Sequence, residues 1–437
     1  MSFIADKQTL DDLSLLGKYN PYSVFSLFNQ VKTRGGQKLL DQMFQHPLTD
    51  ADQINSRSAA FRYFSDHRAS FPFEEEALGN MEAYLDEGCA GNFPMALWQM
   101  SRKKFTALAV KDDSLSLQLQ SIDACIGVLK TCTTLLHQLE KEGRDKNSPW
   151  QKWADSARQI TRDKRLEHLH TSNRTFTQNA RLHYLLAQVF QEQLKTLLAH
   201  TYEMEVYITV ANVGREKGFC YATALPKEKN LLIAHGVRHP GLDKAVANSL
   251  SFSGNSNVLF LTGANMAGKS TLMKASGILL YLAHMGFPVA ATEMQFSVLD
   301  GIYSSVNVPD DLDKGYSHFY AEVLRVKKVA EEVDAGKSLF VIFDELFKGT
   351  NVKDAYDATL AVTAAFTAFR ECFFIISTHI FEVGDALKAE GDHIQFQFLP
   401  TVMEGTVPRY TYLLQKGITQ DRQGMIIIEN EGILDML

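Results

Sequence analysis

The sequence predicts an α + α/β fold in which an all-helical domain, residues 1–205, precedes an α/β domain, residues 206–437. The first part is poor in β-branched runs, and its apolar residues recur every three or four positions, as amphipathic helices require. The second part alternates short apolar strands with small-residue turns and amphipathic helices, a pattern typical of α/β domains. A chain of 437 residues is long enough for two or three domains.

The clearest helices of the first part are predicted over residues 115–141 and 179–202. Between them, the polar segment KEGRDKNS at residues 141–148 is followed by Pro149. Gly, Asn and Pro end helices, so this segment is expected to be the tip of a long helical hairpin. The domain boundary is expected near the end of the helix that begins at residue 179.

The composition is that of an ordinary globular protein, with 45% hydrophobic and 22% charged residues. A net charge of −7 argues against a polycation that coats nucleic acid. The longest apolar stretch, residues 275–291, contains His284, so no membrane span is expected. The N-terminus is mixed and acidic, which does not suit a secretory leader and makes the cytoplasm the default compartment. Five scattered cysteines without a C-x-x-C pair are expected to be reduced thiols.

The strongest motif is GANMAGKST at residues 263–271, a G-x-x-x-x-G-K-S sequence with an apolar strand before it and a helix after it. This is a P-loop in its required context. Its glycines let backbone N–H groups surround phosphates, and the helix N-terminus favours anions. Lys269 would neutralise the β- and γ-phosphates, and Ser270 would ligate Mg²⁺. The motif therefore predicts binding of ATP with Mg²⁺.

Two further apolar strands are predicted to end in polar residues. The run 338–343 leads to Asp344 and Glu345, and a continuous apolar run is typical of a parallel strand covered on both faces. Asp344 would hold Mg²⁺ through water, and Glu345 would orient or deprotonate the attacking water. The run 373–377 leads to His379, which is interpreted as a sensor of the γ-phosphate. The alternatives are that Asp344 only caps the next turn and that His379 is an ordinary core or surface residue.

These motifs, in this order, resemble those of the MutS family of ABC-type ATPases. The resemblance rests on the P-loop form G-x-N-M-x-G-K-S-T, on a Ser-x-Phe-x-x-Glu segment at residues 317–322, on Asp344-Glu345 with Lys348-Gly349-Thr350 behind it, and on Ser377-Thr378-His379. Upstream, Arg238-His239-Pro240, Asn248 and several stretches between Gly17 and Asn55 are similar to landmarks of the same family. The resemblance therefore covers most of the chain.

The resemblance implies a helical core and lever domain followed by an ABC-type P-loop ATPase domain. It also implies a homodimer formed through the ATPase domains, with two composite sites. In each site Ser317 of one chain would meet the nucleotide bound by the other chain. Ser317 therefore joins Glu345 and His379, the switch histidine, as an expected catalytic residue, and Ser270 with Asp344 forms the expected metal site. The expected nucleotide-binding residues are Gly263, Asn265, Met266, Ala267, Gly268, Lys269, Ser270 and Thr271.

Departures from the family pattern limit what the resemblance implies. The chain starts at the helical core, without mismatch-reading and connector domains, and its helical part is too short for a full β-rich clamp, so direct mismatch reading is not expected. Ala264, Ala267 and His318 replace the family's usual Pro, Gly and Thr, and alanine lacks glycine's freedom at positive φ. Ala245 stands where the family often has an aromatic residue that stacks on adenine. Tyr412 is the candidate for that stacking.

The leading hypothesis is an ATP-hydrolysing, dimeric DNA clamp in DNA repair or recombination that grips branched or distorted duplex through its backbone. The basic stretch at residues 158–181 is the candidate DNA contact, although a solvated helix face is the plainer interpretation of such charges. The alternative hypothesis is a nucleotide-gated ATPase, associated with protein or ribosome, that does not bind DNA. A small-molecule kinase is disfavoured by the segment 317–322 and by the large helical part.

Overall fold

The computed structural model describes residues 2–17, 20–88, 91–110, 113–166, 174–306, 318–389, 393–404, 407–419 and 436. The chain forms two compact units. The sheet unit contains Met1–Phe28, Met43–Ala59 and Val213–Leu437, and the helical unit contains Asn29–Gln42 and Ala60–Asn212. This division differs from the predicted cut after residue 205, because two N-terminal segments belong to the sheet unit.

The α-helices of the described residues alternate with strands only in the second half of the chain. The helices are α1 (Lys7–Asp12), α2 (Val24–Phe28), α3 (Arg34–Gln45), α4 (Ala51–Asp66), α5 (Glu75–Glu87), α6 (Phe93–Val110), α7 (Ser114–Glu142), α8 (Gln151–Thr161), α9 (Phe176–Tyr184), α10 (Gln191–Glu216), α11 (Lys269–His284), α12 (His318–Asp334), α13 (Val352–Phe366) and α14 (Phe381–Lys388).

The strands, apart from the first, lie after α10. They are β1 (Ile4–Ala5), β2 (Cys220–Tyr221), β3 (Thr223–Leu225), β4 (Leu231–Val237), β5 (Asn248–Ser253), β6 (Val258–Gly263), β7 (Pro288–Val289), β8 (Glu293–Ser297), β9 (Gly301–Ser305), β10 (Leu339–Phe343), β11 (Phe373–Ser377), β12 (Ile394–Leu399), β13 (Thr401–Glu404), β14 (Val407–Tyr410) and β15 (Gln415–Lys416).

In the helical unit, α7 and α8 flank the tip that the sequence predicted, but α8 has only 11 residues and is shorter than the long helix expected. Helix α7 ends at Gly143, which adopts the left-handed conformation with φ 66°. The N–H of Arg144 donates to the carbonyl of Leu139 at 2.8 Å, which satisfies a carbonyl at the helix end. The chain then turns into α8, which packs on α7, so α8 is the returning helix of a hairpin.

The predicted helix over residues 179–202 is longer than expected and is interrupted. It begins at Phe176 behind a capping box, in which Thr175 and Gln178 exchange side-chain and backbone hydrogen bonds. A π-helical turn, Leu185–Val189, separates α9 from α10, which continues to Glu216. The helix therefore passes the predicted domain boundary, because its pattern of buried residues continues without a stop signal as far as Val213.

The main sheet of the sheet unit has the strand order β1-β9-β10-β11-β6-β12-β15. All neighbouring strands are parallel except β12 and β15. Every residue of β10 and β11 is buried, which explains their uninterrupted apolar sequences. Because β6, β10 and β11 are parallel, their carboxyl ends lie at the same edge of the sheet. A second sheet has the order β3-β8-β4-β5.

The N-terminal segment is part of this sheet unit. Strand β1 pairs with β9, and the Asp6 carboxylate accepts hydrogen bonds from the buried Arg325 and, at 2.7 Å, from Lys328. Burial alone would raise the pKa of Asp6, but the bonds from Arg325 and Lys328 outweigh burial and hold this pKa well below its usual range. The segment is therefore fastened to α12 by an ion pair that is largely shielded from water.

No helix in the described part of the chain is long and apolar enough to cross a membrane. Cys125, Cys132, Cys220 and Cys372 form no disulfide bond, which agrees with the reduced thiols that the sequence predicted. Cys89 lies outside the described residues.

We expect Asp6→Asn to lower the free energy of unfolding by about 3 kcal/mol near neutral pH, because it leaves the buried Arg325 guanidinium without its anion. Since the folded-state pKa of Asp6 is lowered, its contribution is present above about pH 4 and is lost as the pH falls through the folded-state pKa. Urea unfolding should therefore separate variant and wild type near neutrality and bring them together in acid. Asp11→Asn, which removes an exposed carboxylate of α1, is the control; an equal loss in both variants would contradict the assignment.

Candidate nucleotide-binding site

The P-loop connects β6 to α11 and takes its shape from three residues with positive φ. Gly263 has φ 152°, Met266 has φ 67° and Gly268 has φ 100°. The φ of Gly268 favours glycine, and a Cβ atom there would also lie 3.0 Å from Cδ1 of Tyr412, closer than an ordinary contact. The alanines at positions 264 and 267 have no positive φ, so they strain the loop backbone no more than glycine would.

Lys269, the first residue of α11, points its ammonium into the loop. The Nζ atom donates to the carbonyls of Gly263 at 2.7 Å and Ala264 at 3.1 Å, and only 5% of the residue is exposed. Burial lowers the pKa of Lys269, and the nearby carboxylates of Asp344 and Glu345 partly offset that effect. A cation held among backbone carbonyls and N–H groups is the arrangement that a phosphate-binding loop requires.

Asp344, at the end of β10, links the P-loop to β11. Its Oδ2 atom accepts a hydrogen bond from the Ser270 hydroxyl, and its Oδ1 atom accepts one from the Ser377 hydroxyl at 2.7 Å. Its backbone N–H donates to the carbonyl of Ser305 in β9 at 3.0 Å. The carboxylate therefore faces the P-loop, and it does not cap the next turn. Carboxylate and hydroxyl oxygens are hard ligands that suit Mg²⁺, so Ser270 and Asp344 fit the predicted metal site.

The described residues offer Mg²⁺ few protein ligands beyond this pair. Among them, no group of three or more His, Cys, Asp or Glu side chains could hold a metal ion. Mg²⁺ commonly binds through one or two protein oxygens and completes its coordination with water and substrate phosphates. The donor set at this site matches that mode of binding.

Glu345 follows Asp344 and is held by two basic side chains. Its Oε1 atom lies 2.5 Å from Nε2 of His379, and its Oε2 atom lies 3.3 Å from Nζ of Lys348. The hydrogen bond from His379 is the main reason that the pKa of Glu345 falls to about 2. The carboxylate is therefore ionised throughout the neutral range. His379 belongs to this site and is not an isolated core or surface residue.

The backbone after β10 is strained where these side chains are presented. Glu345 has φ 54° and Phe347 has φ 62°, and neither residue is glycine. Each such conformation costs about 1–3 kcal/mol and persists where the surrounding structure fixes it. Here the N–H of Leu346 donates to the carbonyl of Ser377 at 3.2 Å, which holds this turn against the end of β11.

A cleft of about 590 Å³ adjoins the P-loop. Seven of the eight predicted nucleotide-binding residues line it, and Gly263 stands at the end of β6. The far wall includes Ala245 and Tyr412, whose side chain is about half exposed. The Asn248 amide holds this wall, because it donates to the carbonyl of Tyr412 at 2.9 Å and accepts from the N–H of Leu414 at 2.7 Å. The cleft therefore offers the Tyr412 ring beside the P-loop.

The sequence did not predict three of these contacts. Ser377 was noted only as part of the Ser-Thr-His motif, yet its hydroxyl holds Asp344. Lys348 pairs with Glu345, and Asn248 fixes the turn of Tyr412. The predicted catalytic residue Ser317 lies outside the described residues, and α12 begins one residue after it.

The basic stretch at residues 158–181 is largely neutralised within the chain. Arg158 forms ion pairs with Glu140, Asp145 and Asp155 at 2.6–3.2 Å. The other arginines in pairs are Arg162 with Glu140, Arg165 with Asp163, and Arg174 with Asp123. A face of paired charges offers little positive potential to phosphate, so the structure favours the plainer interpretation, a solvated helix face.

Comparison with known proteins gives two family matches. The model described as MutS domain III matches residues 8–211, and the model described as MutS domain V matches residues 259–435. A DNA mismatch repair protein MutS from Wolbachia pipientis wMel is 36% identical over 154 residues, which are 35% of this chain and 18% of that protein. The match thus spans less than a fifth of that relative's length, whereas the two family models together cover most of this chain.

We expect Lys269→Ala to abolish ATP binding, because it removes the cation that the loop carbonyls hold beside the phosphate site. The fold should persist, since this ammonium contacts polar backbone and no apolar core. Titration with a fluorescent ATP analogue measures the loss, and a thermal melt tests the fold. Lys388→Ala, which removes a surface lysine paired with Asp385, should bind as the wild type does. Normal ATP affinity in a folded Lys269→Ala protein would exclude the P-loop assignment.

Proposed function

Because the chain belongs to the MutS family, we propose that it is an ATPase that works with Mg²⁺, as a homodimeric DNA clamp in DNA repair or recombination. Membership of the family supports the role of a DNA repair ATPase. One observation carries the proposal of hydrolysis: the side chains of Lys269, Ser270, Asp344, Glu345 and His379 meet at one edge of one parallel sheet. The cytoplasm remains the predicted compartment.

The P-loop side chains would bind the ATP phosphates. The backbone N–H groups at the start of α11 face the anion, and Lys269 would exchange its carbonyl contacts for phosphate oxygens. Ser270 and Asp344 would hold Mg²⁺, which when bound neutralises charge on the β- and γ-phosphates. Tyr412 would stack on the base from one side, since Ala245 offers no ring on the other.

Glu345 would act as the general base. A water molecule that attacks the γ-phosphate must lose a proton, and a carboxylate within hydrogen-bonding reach can orient it and accept that proton. In this structure the carboxylate is paired with His379 and Lys348, which keeps its pKa too low for efficient proton transfer. We infer that the contact with His379 opens when nucleotide binds, which frees His379 to donate a hydrogen bond to the γ-phosphate.

Hydrolysis would require two chains. Ser317 of one protomer would contact the γ-phosphate held by the P-loop of the other, so that two ATPase domains form two composite sites. A symmetric dimer repeats the same contact twice. Closure of this dimer would tighten the helical parts around branched or distorted duplex DNA, with contacts chiefly to the backbone. Direct reading of mismatches is not part of this proposal.

A second candidate function is a nucleotide-gated ATPase that acts on protein or ribosome and does not bind DNA. The ion pairs of Arg158 and Arg162 favour it, because they remove the basic patch that the sequence offered to DNA. Salt dependence separates the two candidates. Phosphate contacts release counterions, so DNA binding weakens steeply as salt increases.

We expect Glu345→Gln to bind ATP as the wild type does and to hydrolyse it at least about 10²-fold more slowly, because an amide cannot accept the proton. Steady-state phosphate release and nucleotide titration measure the two effects. Glu371→Gln, which changes an exposed carboxylate just before β11, should hydrolyse ATP normally. Unchanged turnover in Glu345→Gln would remove Glu345 from the role of base.

The composite site predicts complementation between two inactive proteins. Ser317→Arg should abolish hydrolysis, because a bulky cation cannot make the close contact of a serine with the partner's γ-phosphate. Mixed with Lys269→Ala, it should regain activity, since each mixed dimer has one site with an intact P-loop and an intact Ser317. Phosphate release in a mixing series measures this rescue. No rescue at any ratio, together with turnover that is linear in protein down to high dilution, would refute the dimer.

A further inference from the structure

Helix α6 exposes an apolar stripe to solvent. Met95, Trp98 and Phe105 are 48%, 56% and 77% exposed, and Arg102, also exposed, lies between the two aromatic residues in sequence. Their spacing of three, four and three residues places all four on one side of the helix. We call these four residues the α6 face.

The α6 face is a second apolar surface of a helix that already has a buried one. Ala96 and Met100, at 0% exposure, lie on the opposite side of α6, which packs against α7 and α9. A surface helix needs only one apolar side for folding, and a cluster of large exposed apolar residues marks a site of interaction. Packing of the core therefore does not explain why two large aromatic residues, Trp98 and Phe105, stand on the exposed side of α6.

Positive charge accompanies these rings. The Arg102 guanidinium lies 5.3 Å from the centroid of the Trp98 ring, and the Lys104 ammonium lies 4.8 Å from that of Phe176 in α9. Within the described residues, Arg102, Lys103 and Lys104 form no ion pair with a carboxylate. In the stretch at residues 158–181, by contrast, Arg158, Arg162, Arg165 and Arg174 are paired. Arg102 therefore brings a positive charge to the α6 face, whereas Lys104 lies on the side of the helix that contacts α9.

We propose that the α6 face binds unpaired nucleotides of DNA, with bases stacked on Trp98 and Phe105 and a phosphate held by Arg102. The proposal rests on the proposed DNA-binding function and supplies the contact surface that the paired arginines do not. Exposed aromatic rings beside cations are the means by which proteins bind single strands without reading their sequence. Branched DNA, the substrate class proposed above, contains such nucleotides.

The spacing of the two rings favours unpaired bases over intact duplex. Trp98 and Phe105 are seven residues apart, about 10 Å along the helix axis, whereas stacked bases in one strand are separated by about 3.4 Å. Bases that have left the stack can reach two rings at this distance. In an intact duplex the base faces are covered by their neighbours, so both rings would stay exposed to water. An acidic protein would satisfy the cations but would not require two flat exposed rings.

Trp98 provides a direct probe of this binding. The chain has three tryptophans, and the other two, Trp150 and Trp153, are 5% and 0% exposed in the helical core. Titration of the full-length protein with oligothymidylate at low salt should therefore quench the fluorescence of Trp98 as bases stack on it. Trp98→Phe should bind within a few-fold of the wild type and show no quenching. Trp98→Ala with Phe105→Ala should bind at least about tenfold more weakly.

Charge variants test the phosphate contact. Arg102→Gln should weaken binding and reduce the slope of log K against log salt by about 0.7 for the lost contact. Arg162→Gln is the matched control, because it removes the same charge from an exposed arginine that is already paired. The control should keep the affinity and the slope of the wild type within a small error.

Several results would overturn the proposal. The proposal fails if oligothymidylate does not bind at low salt, if Arg102→Gln and Arg162→Gln lose the same affinity, or if a blunt hairpin duplex binds and quenches equally well. A change of dimer mass in Trp98→Ala by sedimentation would identify the α6 face as a protein interface instead.

ATP hydrolysis without DNA, measured on the same samples, should be unchanged in all α6 variants. If the wild-type protein does not hydrolyse ATP, that result counts against the proposed ATPase, and the DNA-binding result is then judged separately.

Discussion

The Asp344 carboxylate is the contact on which the arrangement of the site depends. It accepts hydrogen bonds from Ser270 at the P-loop and from Ser377 at the end of β11, and thus joins three strand ends. These bonds exist only because β10, β11 and β6 are adjacent and parallel. A shift of one residue in any of these strands would turn its side chains to the other face of the sheet. The fully buried strands β10 and β11 fix the register and with it the position of each polar residue that follows.

In this structure the charged groups of the site already have partners within the chain. Lys269 donates to loop carbonyls, Asp344 accepts from two hydroxyls, and Glu345 is paired with His379. Unpaired charges in a partly buried site would carry a large desolvation cost, and these contacts avoid it. Binding of nucleotide would then replace these partners within the chain by phosphate oxygens, Mg²⁺ and water. The low pKa of Glu345 belongs to the paired state, so this replacement would also change the basicity of the proposed catalytic base.

The sequence was most informative where a motif and a buried strand coincide. The strand predicted over residues 373–377 is β11 with the same bounds, and the apolar runs before the P-loop and before Asp344 are β6 and β10. It was least informative about contacts between distant segments. Strand β1 has only two residues and therefore no periodicity, and the charge pattern around Arg158 did not show that Glu140 and Asp145 reach it from the preceding helix and its tip. Helix α6 is apolar on two sides, so periodicity did not show which side is buried.

Hydrolysis of ATP is the central claim, and one measurement tests it most directly. Phosphate release by the wild-type protein is followed over a range of ATP concentrations, with Mg²⁺ present and with Mg²⁺ removed by a chelator. The account predicts saturable turnover that disappears when Mg²⁺ is removed, since Ser270 and Asp344 are the proposed metal ligands and Lys269 alone would face the phosphates. Turnover that persists without divalent metal, or no turnover at any protein concentration, would contradict it.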